Sequence, residues 1–367
     1  MARAATAPYS KERADAFAQR MLDVLNGGGL ALMLSLGHRV GIFDAMAPLG
    51  WATADDIAEA AGATERYVRE WLGAMVLGRV VEYESETGRY RLPAEHAAAL
   101  TRTAPAGNIA TFAQFVPLLG EVESRIVRCF RDGGGVGYEY FPRFQNVMAE
   151  VSAQTLLSGL HEHVLPLVPD LTARLGAGID VLEIGFGLGR ALERLALEFP
   201  RSRLVGYEIS REGVDAATRR ARDLGLRNVR YELRDVAGMT DAASFDLVLS
   251  FDTIHDQVHP ERVLANVRRA LRPGGTFLMQ DIDASSRLEQ NFDHPIGPLL
   301  FAVSTMHCMT VSLAHGGMGL GAMWGRERAL GMLRDAGFGD VRVERLPQDI
   351  ENCYYVASLA GAAEGAV

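Results

Sequence analysis

Cysteine is scarce in this chain of 367 residues: Cys129, Cys308 and Cys353 lie far apart and form no C-x-x-C pair. An odd count at that spacing argues against a disulfide framework and predicts reduced thiols in the cytoplasm. Positive charge is also short. The formal net charge of −9 speaks against general affinity for nucleic acid or an anionic membrane. No apolar run approaches the ~20 residues of a membrane span. Glu12, Asp15 and Asp23 precede the short run 30–36, which makes a poor signal peptide. No internal repeat or low-complexity tract is present, which leaves out a repeat architecture.

What remains is ordinary for a globular protein, with 48% hydrophobic and 23% charged residues. At ~150 residues per domain the length predicts two domains. Residues 1–10 are small and polar, a frayed start. Residues 11–46 carry a helical pattern, with breaks expected at Gly27-Gly28-Gly29 and near Gly37 and Gly41. Thr53-Ala54-Asp55-Asp56 starts a helix, with threonine as cap and acids in the first turn. A second helix over 65–76 and a hairpin over 80–92 complete a winged helix. From Trp51 to Leu92 there are eight acids against five arginines. On the second helix Glu65 and Glu70 cancel Arg66 and Arg69. DNA affinity rests on phosphate contacts, so a dimerisation or scaffolding module is the better reading. We place this domain at 1–100 and a helical linker at 101–165. After Gly133-Gly134-Gly135 come Tyr138, Tyr140, Phe141 and Phe144, which either roof a substrate pocket or pack between domains.

From residue 178 strands alternate with helices, predicting an α/β domain with a mostly parallel sheet covered on both faces. Strands are expected at 180–184, 204–207, 229–233, 245–250, 276–280, 341–345 and 354–359. The first runs into Glu183-Ile184-Gly185-Phe186-Gly187-Leu188-Gly189. Here a tight glycine turn and a following helix expose backbone to a ligand at the carboxyl edge of the sheet. A dinucleotide fingerprint needs glycine at the sixth position of G-x-G-x-x-G. That position is Arg190. Glu208, 19 residues beyond Gly189 at the end of the second strand, can accept from ribose hydroxyls. Asp235, beside Val236, ends the third strand, where a carboxylate can accept from an adenine amine. Pro273-Gly274-Gly275 precedes the fifth.

With these landmarks, residues 166–361 resemble a class I S-adenosylmethionine (SAM) methyltransferase domain of Rossmann-like fold. Phe186 departs from the cysteine or small residue of many relatives and is expected to crowd the turn. With the mostly helical winged-helix domain ahead, the chain resembles bacterial small-molecule methyltransferases built this way. The resemblance implies SAM as methyl donor, S-adenosylhomocysteine as product, and a homodimer joined through the first domain. It puts Glu183, Gly185, Gly187, Gly189, Glu208, Ile209, Asp235, Val236 and Phe251 around the cofactor.

The fourth strand ends in Phe251-Asp252-Thr253-Ile254-His255-Asp256. His255, with an ordinary pKa near 6.5, suits a general base, or else only bonds backbone in a crowded loop. His259 and His294 are weaker candidates. An insertion over 283–323 reads as a helical cap, with an apolar stripe and Ser304-Thr305-Met306-His307-Cys308. The chain also resembles, more distantly, metal-dependent C-methyltransferases of α-keto acids. That resemblance implies iron or zinc on His255, Asp256 and His307; we read Cys308 as a buried thiol. The expected function is methyl transfer to a small molecule, by O-methylation or metal-assisted C-methylation, with His255, Asp256 and His307 as catalytic residues. The alternative is a SAM-responsive winged-helix regulator.

Overall fold

The computed structural model describes residues 8–103 and 107–359. The frayed start at 1–7 and the last two residues of the second domain, 360–361, lie outside them. The chain divides into two compact units between Pro117 and Leu118.

In the first unit one helix, Lys11–Val40, runs unbroken through Gly27-Gly28-Gly29, against expectation. These glycines take no positive φ, and nothing lies within 4 Å of where their Cβ atoms would stand. Each weakens the helix by about 1 kcal/mol relative to alanine. Packing of Leu30, Met33 and Leu34 on the core holds the distal half. Gly37 also stays helical, and its lack of a side chain serves packing: a Cβ there would lie 2.5 Å from the Trp71 ring. The break comes at Gly41, φ +82°. Helix Ala54–Ala61 begins with Thr53 and Asp56 in a reciprocal capping box. Helix Glu65–Leu77 and the antiparallel strands β1 (Glu82–Glu84) and β2 (Arg89–Arg91) complete the winged helix. Arg66 pairs with Glu70 at 2.5 Å and Arg69 with Glu65 at 3.0 Å along the second helix.

The second unit is built on seven strands, β3 (Asp180–Ile184), β4 (Arg203–Glu208), β5 (Val229–Leu233), β6 (Phe245–Phe251), β7 (Leu271–Ile282), β8 (Asp340–Glu344) and β9 (Asn352–Ser358). Their order is β5-β4-β3-β6-β7-β9-β8. β3 to β7 run parallel and β9 is antiparallel to both neighbours. Successive residues feed opposite cores: Val181 packs with Leu192 and Leu195 of helix Arg190–Glu198, Leu182 with Val263 and Val267 of helix Pro260–Ala270. The α/β reading therefore holds. One strand is longer than expected: β7 continues past Gln280 and carries Asp281 into the sheet. The strand order reverses between β3 and β6, and in such sheets ligands bind outside the carboxyl ends at that reversal.

The insertion after β7 contains helix Gly297–Val303, a wider π-helical turn over Ser304–Cys308, and helix Met309–Ala314. Against the sequence expectation, Gly297–Ala314 is long and apolar enough to cross a membrane by length and composition; half of it is buried within the protein. Its buried positions include Ser304, His307, Thr310 and Ser312.

Candidate active site

The glycine turn sits at the carboxyl end of β3. Gly185, Gly187 and Gly189 all have positive φ, +64°, +56° and +70°. Two of them are also demanded by packing. A Cβ on Gly185 would meet Thr253 Cγ2 at 2.2 Å, and one on Gly189 would meet the Tyr231 ring at 2.8 Å. Around Gly187 there is nothing within 4 Å, so that glycine faces open space. Phe186 does not crowd the open side. It is buried against Gly206, where any Cβ would lie 2.5 Å from its ring, and it meets Tyr231 at 4.9 Å between ring centroids.

Glu208 gathers the loop ends. Its carboxylate accepts from the backbone N–H groups of Gly187, Ile209 and Ser210, each at 2.9 Å. Burial raises its pKa against the opposing pull of those three donors. Glu183 is buried in β3, and burial pushes its pKa up to about 8. Its Oε2 has no hydrogen-bond partner. Asp235 is exposed and caps a short turn by accepting from Ala237 N–H at 2.8 Å. Val236 points into the core, Ile209 is exposed, and Phe251 is half-buried. An open backbone cradle at Gly187, an orphaned buried oxygen on Glu183 and acids at two neighbouring strand ends fit an adenosyl sulfonium.

The seam to the acceptor side is Thr253, whose Oγ1 donates to Phe251 O at 2.9 Å and approaches Gly185 O at 3.3 Å. Beyond it His255 is buried, with Nδ1 2.7 Å from Asp281 Oδ1. Asp281 also accepts from Trp324 Nε1 at 2.8 Å and from Ile282 N–H at 2.9 Å. This fixes the imidazole with Nε2 facing Asp256 Oδ1 at 3.4 Å. Burial opposes charge on His255, but Asp281 and Asp256 outweigh it and hold its pKa well above the ordinary value. His307 lies 3.9 Å from the other oxygen of Asp256 through Nδ1. Its ring stacks on Phe144 with centroids 3.4 Å apart and meets Phe141 edge-on at 4.6 Å. Burial and the neighbouring His255 charge drive its pKa well below the ordinary value. Tyr138 OH donates toward Asp256 at 3.4 Å.

The structure thus brings His255, Asp256 and His307 together, with the aromatics that follow the triple glycine around them. His259 and His294 lie apart from this group. His259 is half-exposed, 3.8 Å from Glu261, and both His294 nitrogens engage backbone. Sequence reasoning missed Asp281. Its signal was an acid at the end of the apolar run Thr276–Ile282, where a buried charge needs a partner. A different trio from the expected one has the spacing for a divalent cation, with Cys308 in place of His307: one ligand atom each from His255, Asp256 and Cys308 lie within 4.8 Å of one another. Among the described residues Asp256 Oδ1 and both His307 nitrogens have no hydrogen-bond partner.

Comparison with known proteins agrees with this fold. Residues 28–102 match the Rv2258c-like winged HTH domain, and residues 175–325 match a methyltransferase domain. A curated tRNA (guanine-N(7)-)-methyltransferase from Yersinia pestis is 35% identical over 111 residues, 27% of this chain and 46% of that protein. The chain therefore spans about half the length of the curated relatives it matches. Among solved structures, human N-acetylserotonin methyltransferase in complex with SAM superposes at a TM-score of 0.66 with 16% identity, covering 97% of this chain and 100% of that one. An O-methyltransferase family protein from Burkholderia thailandensis gives 0.63 with 18% identity over 97% and 100%. The chain joins a winged helix-turn-helix domain to a methyltransferase domain of the class I fold.

Proposed function

We propose that this chain is a cytoplasmic SAM-dependent methyltransferase acting on a small molecule. The observation that carries the reading is the junction at Thr253. There an open glycine cradle and a buried histidine–carboxylate group meet at the sheet's topological reversal. SAM, when bound, supplies an electrophilic methyl group on a sulfonium. The protein's part is alignment, which can lower the barrier by roughly 7–11 kcal/mol. Gly187 and Glu208 bind the nucleoside end, Asp235 is available to the adenine, and Glu183 lies beneath the turn. The acceptor enters against Tyr138, Phe141 and the neutral ring of His307, apolar faces that suit a flat molecule. Among the proteins this chain resembles, one is named for N-acetylserotonin and another for tRNA. The stretch shared with the tRNA enzyme is 27% of this chain, while depth of burial and a net charge of −9 favour a small acceptor.

Asp281 fixes His255 so that Nε2 is the atom presented to the acceptor. A positive charge arriving nearby lowers the raised imidazole pKa, and Nε2 then takes the acceptor proton, a contribution of about 10²–10⁴ in rate. With a divalent cation on Nε2 instead, His255 and Asp256 would hold it with a group from the 304–308 turn, and it would supply Lewis-acid polarisation of acceptor oxygens in place of proton removal by His255. Dimerisation we assign to the first unit, whose long helix exposes Phe17, Leu22 and Leu25; sedimentation velocity tests it.

Calorimetry with S-adenosylhomocysteine, set beside a nicotinamide nucleotide, tests the cofactor. Heat and a thermal upshift with the first alone are expected, and the reverse overturns the reading. Turnover of SAM across a metabolite panel, compared with duplex-DNA binding at physiological salt, separates an enzyme from a SAM-responsive regulator. DNA binding without turnover overturns the enzyme.

A further inference from the structure

Cys308 is set apart from the other two cysteines by what surrounds it. It is buried at 4% exposure, in the π-helical turn Ser304–Cys308. Such a widened turn lags the α-helical rotation, and π-turns recur at functional sites. Here the turn leaves two consecutive side chains, His307 and Cys308, buried together. They do not occupy equivalent places. The His307 ring is held face to face by Phe144 and edge-on by Phe141. Cys308 Sγ instead stands with His255 and Asp256, ligand atoms of all three within 4.8 Å of one another.

The hydrogen bonding of that trio is incomplete among the described residues. Nδ1 of His255 is committed to Asp281, so Nε2 turns toward Asp256 Oδ1 at 3.4 Å, and that buried oxygen has no hydrogen-bond partner among the described residues. A buried carboxylate oxygen with only this long ion-pair contact and no hydrogen bond is costly. The Asp281–His255 contact is also the arrangement in which an outer carboxylate orients a histidine that binds metal through its other nitrogen.

We propose that Cys308, as a thiolate, is the third protein ligand of a zinc-class divalent metal held with His255 and Asp256. Bonds of 2.0–2.3 Å in a tetrahedral site separate ligands by about 3.4–3.8 Å. The histidine–aspartate pair already meets that spacing, and the sulfur needs to close by about 1 Å. A thiolate selects zinc, iron or cobalt over magnesium and calcium. Three protein ligands leave a fourth position for water or an acceptor oxygen. His307, opposite the second oxygen of Asp256, then flanks the metal without binding it. This deepens the methyl-transfer reading of the same site, but metal ligation is measured separately from cofactor binding.

The experiment uses the full chain, purified without a histidine tag, stripped of metal and titrated with cobalt(II). One equivalent is expected to produce a near-ultraviolet thiolate-to-cobalt charge-transfer band. Cys308→Ser should abolish the band, while Cys129→Ser and His307→Ala should keep it. Asp281→Asn should weaken cobalt binding by roughly 10–100-fold. Zinc-edge X-ray absorption on the unmodified protein should show one sulfur at about 2.3 Å, a readout that stands even if a variant fails to fold. Cobalt bound without the band, a band surviving in Cys308→Ser, only light scatterers around zinc, or no metal uptake would each overturn the proposal. Calorimetry with S-adenosylhomocysteine on the same samples reports the cofactor site independently.

Discussion

The two sides of the carboxyl edge are made of different material. The glycine side is backbone: a turn with three positive-φ glycines, whose Gly187 N–H is bound by a carboxylate that also accepts from Ile209 and Ser210 N–H after β4. The histidine side is buried side chain, brought from β6, β7, the cap and the segment before residue 150. Backbone geometry is general, because every adenosyl ligand presents the same ribose and base. Buried side chains are particular. On the proposed function they would carry acceptor choice, and among the described residues they leave polar atoms without hydrogen bonds on Asp252, Asp256, Asp281, His307 and Glu351.

The sharpest way to break that contrast is to remove a group on one side and read the other. His255→Ala should cut methyl transfer by about 10²–10⁴ while leaving the heat of S-adenosylhomocysteine binding unchanged. An equal loss of both would mean the sides are not separable. Gly185→Ala attacks the seam, with a Cβ 2.2 Å from Thr253 Cγ2 at a left-handed φ. Strain and overpacking together should cost about 2–5 kcal/mol, seen as a lower melting temperature and lost cofactor heat. Gly187→Ala has the φ penalty alone, about 1–2 kcal/mol. It should weaken S-adenosylhomocysteine by occupying its space, with a smaller change in melting temperature.

The same contrast explains what the sequence made legible. The cofactor side is contiguous: Glu183 to Gly189 is one stretch, and Glu208 and Asp235 follow at strand ends that hydrophobic patterning locates. Glu208 also ties the turn to the end of β4, by accepting from Gly187 N–H. The acceptor side is non-local. His255 was readable from its loop, yet its partner Asp281 lies 26 residues on, past the point where β7 was expected to stop. Which of His307 and Cys308 faces the carboxylates depends on one π-helical turn, and no residue pattern announces a change from 3.6 residues per turn. Gly27-Gly28-Gly29 misled in the opposite sense: propensity predicts a break, and tertiary packing of the following turns overrides it.

Buried acids on each side give a smaller, pH-dependent test. Burial raises Glu183 and Glu351 to about 8 from an ordinary 4.5. Between those values the folded protein keeps protons that the unfolded chain has lost. Stability therefore falls as pH rises from about 4.5 to about 8, by up to about 1.4 kcal/mol per pH unit for each group. Glu351→Gln and Glu183→Gln should melt above the parent at pH 8 and with it near pH 4.5. Only Glu183→Gln should alter cofactor heat. A flat profile in the parent would show that neither acid stays protonated in the folded state.

The smallest effect is expected farthest from the edge, on the second helix of the winged helix. Arg66 and Arg69 are spent on Glu70 and Glu65 within one helix face, and exposed i,i+4 pairs contribute only about 0.2–0.5 kcal/mol each. Arg66→Ala and Arg69→Ala should shift the melting temperature little. If these arginines served phosphates, each replacement would flatten the salt dependence of duplex-DNA binding by about one unit of slope. With both engaged by carboxylates, fluorescence anisotropy at low salt should show no such change. A measurable slope lost with either arginine would return the winged helix to the DNA-reading role that its net-acidic face argues against.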